Sequence, residues 1–325
     1  MDAPLDSRSA YERSLFDRVG RWPAHRGWRE LTVETLRQIA AAQGTDFATA
    51  LLYDRIVHSP EHGPWVEQVQ APASETDGCD LEGTVALVPG ACYVEYPHTG
   101  ADGRRLRQVA ERVGCRTEVV PVGSFGSLAE NARTILDWLA QRRDGPVVLV
   151  SLSKGAADIK VALAQPGARQ AFRRVAVWIN LCGILAGTPL AGWFLRHPLH
   201  GLSVRLLCWY RGYDFAVFRD LDRRPGGPLD FALSVPRHLQ VIHVVGFPLA
   251  GHLSGPQARR AYRRLLPWGP NDAGGILLGD LSRLSGLIYP VWGADHYMRP
   301  GWDLDPLVGR ILCSVGRCVV SGEGS

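Results

Sequence analysis

The sequence contains very little lysine and no block of positive charge. Lys154 and Lys160 are the only lysines among its 36 basic residues, and the arginines are spread among 32 acidic residues. The net charge of +4 therefore gives at most a weakly basic surface, which is not the charge pattern of a nucleic-acid-binding protein. No nucleic-acid partner is expected.

Paired cysteines and a leader segment are also missing. The seven cysteines are an odd number, and no two of them form a C-x-x-C pair. This argues against a disulfide framework or a structural zinc site and favours reduced thiols. The first residues show no basic start followed by an apolar run, so no secretory signal is predicted and we expect a cytoplasmic protein. The cysteines are Cys79, Cys92, Cys115, Cys182, Cys208, Cys313 and Cys318.

Motifs for cofactors and metals are absent from the sequence as well. No G-x-x-x-x-G-K-[ST] or G-x-G-x-x-G pattern follows a predicted strand, and no carboxylate and histidine residues have metal-ligand spacing. We therefore expect no cofactor and no metal. The uncharged run at residues 175–195 is long enough to cross a bilayer, but Gly183, Gly187 and Pro189 interrupt it. It predicts a buried parallel strand followed by a loop, without a stable membrane span.

The amino-terminal part of the chain predicts helices. Residues 9–73 show apolar side chains at helical spacing, and Thr32 suits an N-cap. We predict that residues 1–80 form an N-terminal helical extension. No motif assigns chemistry to it, so three roles stay open: packing against the main domain, forming a wall of a substrate site, or contacting a partner. The apolar pattern consists of Phe47, Leu51, Leu52 and Ile56.

From Thr84 onward the sequence alternates between short β-branched runs and helical patterns. Such alternation predicts right-handed βαβ crossovers, and therefore an α/β fold with a mostly parallel, doubly wound sheet. Ligands of such sheets bind at the carboxyl ends of the strands. The predicted strands are 84–88, 115–122, 146–151, 175–181, 239–246 and one after Ser285, and the predicted helices are 103–113, 127–142, 154–165 and 258–266.

Residues 146–157 carry the clearest chemical signal. A β-branched run leads into Ser151-Leu152-Ser153-Lys154-Gly155-Ala156, and an alanine-rich helical segment follows. The small residues Ser151, Gly155 and Ala156 allow the backbone to bend sharply around Ser153. A serine at such a junction exposes its hydroxyl to a ligand, beside the first N–H groups of the helix.

This segment resembles the nucleophile elbow, G-x-S-x-G, of the α/β-hydrolase superfamily, with Ser151 in place of the first glycine. The resemblance covers residues 84–300 and implies that Ser153 is a catalytic nucleophile. It also implies that the amides of Lys154 and of a loop after an early strand form an oxyanion hole. We assign the loop amide to Ala91, although Pro89 stands where a histidine is frequent in the superfamily.

Two carboxyl-terminal segments complete the resemblance. Asn271-Asp272-Ala273-Gly274 is similar to the turn that holds the acid in lipase-like and esterase-like members, and His296 follows the last predicted strand. The order Ser153, Asp272, His296 is that of the superfamily. The resemblance therefore implies a catalytic triad of these three residues.

Other polar residues are weaker candidates. Asp280 is the alternative acid, whereas Asp295 adjoins His296 and is expected to point away from it. His243 alternates inside an apolar strand and fits a hydrogen-bonded core histidine better than a catalytic one. Ser151 and Lys154 also form an S-x-x-K pattern, but that motif needs its serine at the start of a helix and Ser151 ends a strand.

The resemblance implies a serine hydrolase that cleaves an ester or thioester with an apolar acyl group through an acyl-enzyme. The substrate is a small molecule or an acyl-carrier-type ester or thioester, and no oligomeric state is predicted. Residues 81–325 form the hydrolase domain, with an aromatic and arginine-rich helical cap at about residues 183–236. Two alternatives stay open: an acyltransferase or cyclising thioesterase that uses the same triad, and a binding module of this fold without catalysis.

Overall fold

The structure, a computed structural model, describes residues 9–23, 27–71, 83–143, 145–299 and 304–321. Contacts divide the chain into two compact units. The first unit comprises Met1–Ala73 and His243–Leu307, and the second comprises Ser74–Ile242 and Val308–Ser325. The predicted boundary between residues 80 and 81 lies outside the described residues, as does Cys79. The predicted extension and cap stay predictions.

The strands form one six-stranded parallel sheet in the order β2-β1-β3-β4-β5-β6. Strand β3 lies between β1 and β4, and its residue Ser151 is in register with Val88 on one side and Asn180 on the other. Strands β1, β3 and β4 are buried on both faces, and this burial explains why their residues are almost all apolar. The strands are β1 (Thr84–Val88), β2 (Arg116–Val119), β3 (Val147–Leu152), β4 (Val175–Leu181), β5 (Gln240–Phe247) and β6 (Leu287–Trp292).

Helices surround this sheet, so the predicted α/β fold with a parallel sheet is confirmed. In the described residues, no helix is both long enough and apolar enough to cross a membrane. The helices are α1 (Ala10–Gly20), α2 (Val33–Gln43), α3 (Thr45–Val57), α4 (Gly63–Gln70), α5 (Arg104–Arg112), α6 (Leu128–Ala140), α7 (Lys154–Leu163), α8 (Ala168–Ala171), α9 (Pro189–Arg196), α10 (Pro198–Arg211), α11 (Ala216–Asp220), α12 (Pro256–Leu265) and α13 (Leu304–Ser321).

In the first unit, the amino-terminal helices pack on the residues of β5 and β6. Helix α3 is buried along most of its length, including the four apolar residues that predicted it. The ring of Trp292 lies 4.8 Å from that of Phe16 and 4.9 Å from that of Tyr53. Its indole Nε1 also donates a 2.8 Å hydrogen bond to Glu12 of α1. These helices therefore share a core with the last two strands.

In the second unit, helices α9 and α11 pack against α6 and α7. They share one apolar cluster, which includes Ala157 of α7. Lys160 of the same helix is buried, and its Nζ donates to the carbonyl oxygens of Leu185 at 2.7 Å and Leu229 at 2.9 Å. The Lys160 ammonium thus links α7 to the segment between β4 and β5 through hydrogen bonds. The cluster contains Leu128, Ala157, Ile184, Ala191, Val217, Leu221 and Leu229.

Helix α6 begins with a capping box, which the sequence Ser127-Leu128-Ala129-Glu130 favours. The Ser127 hydroxyl accepts a hydrogen bond from the Glu130 amide, and the Glu130 carboxylate accepts one from the Ser127 amide. These bonds satisfy two N–H groups that the helix itself leaves unpaired.

Removing this cap is expected to destabilise the fold. We expect Ser127→Ala to lower the free energy of unfolding by about 1 kcal/mol, because the first turn of α6 loses its acceptor. Urea denaturation followed by circular dichroism measures the difference. Ser254→Ala, at an exposed serine, is the matched control. Equal stability of the two variants would contradict the expectation.

Candidate active site

Ser153 lies at a strained turn between β3 and α7. Its backbone has φ 49° and ψ −111°, a conformation with positive φ that non-glycine residues rarely adopt. The turn is fixed by the Ser153 amide, which donates to the Leu181 carbonyl at 3.1 Å, and by its own carbonyl, which accepts from the Ile184 amide at 3.0 Å. Strain that is held in this way is typical of functional sites.

The small neighbours of Ser153 are required by packing. A Cβ atom at Gly155 would lie 2.4 Å from the Val88 carbonyl oxygen, which is well inside contact distance. Ser151 is fully buried, and its hydroxyl accepts a 2.8 Å hydrogen bond from the indole Nε1 of Trp178. The serine that replaces the usual glycine therefore fills a defined place in the core.

Two backbone amides lie beside the elbow without a partner. Lys154 is the first residue of α7, and Ala91 follows Gly90 in the loop after β1. A Cβ atom at Gly90 would lie 3.5 Å from the Ser153 Cβ, so this loop lies against the elbow. Neither the Ala91 nor the Lys154 amide donates a hydrogen bond to any described residue. Both N–H groups can therefore donate hydrogen bonds to a ligand oxygen.

The Lys154 side chain is buried and faces a carboxylate of its own helix. It is 1% exposed, and its Nζ lies 2.7 Å from Oδ1 and 2.9 Å from Oδ2 of Asp158, one helical turn further along α7. A charge taken out of water needs such a partner. The Lys154–Asp158 ion pair is accordingly part of the core.

A hydrogen-bond chain continues from this pair to the loop after β1. Asn131 of α6 donates from Nδ2 to Asp158 at 3.0 Å and binds both the amide and the carbonyl of Gly123. The carbonyl oxygen of the next residue, Ser124, accepts a 3.1 Å hydrogen bond from the Cys92 amide. Cys92 directly follows Ala91, so the two unpartnered amides lie at the two ends of one hydrogen-bonded chain.

Burial dominates the electrostatics of Asp158. Desolvation raises the pKa of its carboxyl to about 6, although the Lys154 ammonium and the hydrogen bonds from Lys154 and Asn131 act in the opposite direction. The carboxylate is therefore costly to hold in its charged form, and the Lys154 ammonium and the Asn131 amide offset part of that cost.

In the first unit, Asp272 and His296 form a hydrogen-bonded pair. His296 Nδ1 lies 2.5 Å from Asp272 Oδ2, and the His296 amide donates to the Asp272 carbonyl at 2.7 Å. Asp272 Oδ1 accepts three amides of its own turn, those of Gly274, Gly275 and Ile276, each at 2.9 Å. The turn thus fixes the carboxylate, and the carboxylate fixes the imidazole.

The carboxylate also controls the charge of His296. Burial alone would lower the pKa of this imidazole, but the negative charge of Asp272 and its hydrogen bond outweigh burial, so the pKa is raised above the ordinary value. Asp272 therefore favours the protonated form of His296, which is the form that a general base reaches during a reaction.

Gly274 is a site residue that the sequence analysis did not single out. A Cβ atom there would lie 2.1 Å from both Cβ and Cγ of His296. Any other residue would displace the imidazole from Asp272. The sequence does contain a signal for this residue, because Gly274 stands two residues after the predicted acid, in the same turn.

The other candidates have structural surroundings. Asp295 accepts from the amides of Tyr297 and Arg299 at 2.9 and 3.0 Å, which stabilises the loop that carries His296. His243 is fully buried with Nε2 3.0 Å from the Ser285 carbonyl oxygen, so the prediction of a core histidine is confirmed. Its burial lowers its pKa to about 4. Asp280 lies in a short 3-10 helix at Leu278–Arg283.

Comparison with known proteins shows the class of fold. No protein-family model matches the chain, and no curated protein matches its sequence. The mature lipase of Bacillus licheniformis has a TM-score of 0.51 at 16% identity, over 77% of this chain and 96% of that one. A metagenomic carboxyl esterase has a TM-score of 0.49 at 21% identity, over 79% and 80% of the two chains.

The sheet order, the left-handed serine turn and the likeness to the Bacillus lipase agree with one another. The chain has the α/β-hydrolase fold, and the predicted resemblance to this superfamily is confirmed at the level of fold. Identities this low show the fold alone. The chemistry has to be argued from the residues themselves.

A double-mutant cycle tests the buried ion pair. Asp158→Asn keeps the shape but leaves a buried ammonium without a counter-charge, and we expect it to lower the free energy of unfolding by about 3–5 kcal/mol. Adding Lys154→Met should restore most of that loss, because the unpaired charge is removed. Urea denaturation of the native chain, both single variants and the double variant measures the coupling. Additive losses would contradict a buried pair.

Proposed function

We propose that this chain is a serine hydrolase that cleaves an ester or thioester with an apolar acyl group. The observation that carries the proposal is the position of Ser153, at a left-handed turn between a buried central strand and the first residue of α7. Such a turn presents a hydroxyl together with the free amides of a helix start. The Asp272–His296 pair adds an acid and a base that are already joined.

In the proposed reaction, Ser153 Oγ attacks the substrate carbonyl carbon while His296 Nε2 accepts the hydroxyl proton. Asp272 stabilises the imidazolium through Nδ1. The negative charge that develops on the carbonyl oxygen is taken up by the amides of Ala91 and Lys154. These donors act mainly in the tetrahedral state, which is where stabilisation accelerates the reaction.

The tetrahedral intermediate then breaks its bond to the leaving oxygen or sulfur. That atom takes the proton from His296, and the acyl group stays on Ser153. A water molecule gives a proton to His296 and attacks the acyl-enzyme, and collapse of the second intermediate returns the proton to Ser153 Oγ. The products are a carboxylic acid and an alcohol or thiol, and no other reactant is needed.

The substrate class rests on two lines of support. The printed name of the similar Bacillus licheniformis structure describes a lipase. The predicted cap, residues 183–236, supplies apolar and aromatic side chains, and three helices, α9 to α11, interrupt the strand and helix alternation there. We propose that this segment is the cap and that the acyl group binds to an apolar surface beneath it.

Covalent labelling distinguishes the hydrolase from a non-catalytic module of the same fold. We expect a fluorophosphonate probe to add one adduct to the native chain, because only an activated serine reacts rapidly. Intact-mass analysis of the native chain, Ser153→Ala and His296→Ala measures this, and only the native chain should be labelled within the assay time. Ser254→Ala, which removes an exposed serine, should be labelled normally.

No adduct on a correctly folded native chain would favour the binding module. Labelling that survives Ser153→Ala would show that another residue is the nucleophile. If labelling occurs as expected, assays with alcohol or amine acceptors separate hydrolysis from acyl transfer, since both use the same acyl-enzyme.

The pH dependence of the activity tests the proposal that Asp272 is the acid paired with His296. Because the pKa of His296 is raised above its ordinary 6.5, the neutral base is lost as the pH falls through a value above 6.5. We expect kcat/KM for p-nitrophenyl butyrate to fall with that midpoint, and Asp272→Asn to lower kcat by about 10⁴-fold. Asp280→Asn is the matched control and should keep near-normal activity. The opposite result for the two variants would assign the acid to Asp280.

A further inference from the structure

Helix α10 exposes a stripe of large apolar side chains. Leu202, Leu206, Trp209 and Tyr210 are 57%, 55%, 80% and 78% exposed. Their spacing of four, seven and eight residues places them on one face of the helix. These four account for almost half of the nine large apolar side chains that are exposed among the described residues, so the exposure is concentrated on one helix.

This stripe is not the side on which α10 packs. Cys208 lies on another side of the helix and is only 3% exposed. The Cys208 carbonyl accepts the amide of Tyr213 at 2.8 Å, which ends the helix. Burying the stripe of an amphipathic helix is normally what stabilises it, so a contiguous exposed stripe marks an interaction surface.

The charged residues of α10 itself are both arginines, Arg205 and Arg211, and both are exposed. Arg196 at the end of α9 is exposed and lies 4.0 Å from the Asp222 carboxylate. Between residues 196 and 214 the only acidic residue is Asp214. The stripe is therefore apolar and aromatic, with Arg205 beside it and Arg211 at the carboxyl end of the helix.

These features select among possible partners. A second copy of the chain that binds through the same face in a two-fold dimer would bring these arginines towards their own counterparts. The surface of a bilayer with anionic lipids instead offers phosphates to the arginines and acyl chains to the leucines. Tryptophan and tyrosine suit the boundary between the two, because each has an apolar ring and a polar N–H or O–H group.

We propose that α10 docks this chain on the surface of a bilayer that contains anionic lipid. The helix lies in the plane of the interface, with Leu202, Leu206 and Trp209 entering the acyl region and Arg205, beside the stripe, contacting a headgroup phosphate. This proposal does not depend on the proposed hydrolase activity, because none of these residues belongs to the candidate active site.

Vesicle co-sedimentation of the full chain tests the proposal. We expect binding to vesicles of phosphatidylcholine with phosphatidylserine, and much weaker binding to phosphatidylcholine alone. Trp209→Ser together with Leu206→Ser should weaken binding by at least about tenfold, because two apolar side chains lose their transfer into lipid. Arg205→Gln together with Arg211→Gln should weaken it on the order of tenfold, and added salt should have the same effect.

Trp268→Ser is the matched control, because it removes a tryptophan that is 37% exposed in a different part of the chain. It should bind like the native chain. Circular dichroism of each variant establishes that the fold is intact. The proposal is overturned if the native chain does not bind anionic vesicles, if Trp268→Ser weakens binding as much as the α10 substitutions, or if the arginine substitutions have no effect. It is also overturned if sedimentation velocity shows a native dimer that Trp209→Ser dissociates.

Discussion

The buried ion pair between Lys154 and Asp158 is the interaction on which the serine site depends most. Two charges inside a protein are stable only when their hydrogen-bonding capacity is filled, so the pair constrains everything around it. Asn131 fills one position on the carboxylate and at the same time holds Gly123. The loop after β2 and the loop after β1 are then joined through Ser124 and Cys92. A polar network inside the core thereby sets the geometry of backbone groups at its edge.

Asp272 and His296 are held in a different way. Asp272 is held by amides of its own turn, and Gly274 leaves the space that the imidazole of His296 occupies. The Asp272 carboxylate is thus oriented mainly by hydrogen bonds within its own turn, whereas the serine turn is held by contacts with several strands, helices and loops.

Much of the fold and part of the site could be predicted from the sequence. The six strands, the helices between them and the turn at Ser153 follow from periodicity and from small residues at defined positions. The choice of Asp272 over Asp280 could not be settled in that way, because it depends on which carboxylate reaches His296 through space. Lys154 and Asp158 are visibly one helical turn apart, but no local pattern shows that this side of α7 is buried. The exposure of the stripe on α10 could not be predicted either, because an amphipathic pattern looks the same whether it faces a core or solvent.

The burial of both lysines has a consequence for the reactivity of the folded chain. Lys154 is enclosed by its ion pair, and Lys160 is enclosed by two carbonyl oxygens and the ring of Phe231. The chain contains no other lysine, so the native fold presents no ε-amine to acylating or cross-linking reagents. Modification of either amine requires helix α7 to separate from its surroundings. The rate at which the lysines are modified therefore reports how often the core beneath the serine turn opens.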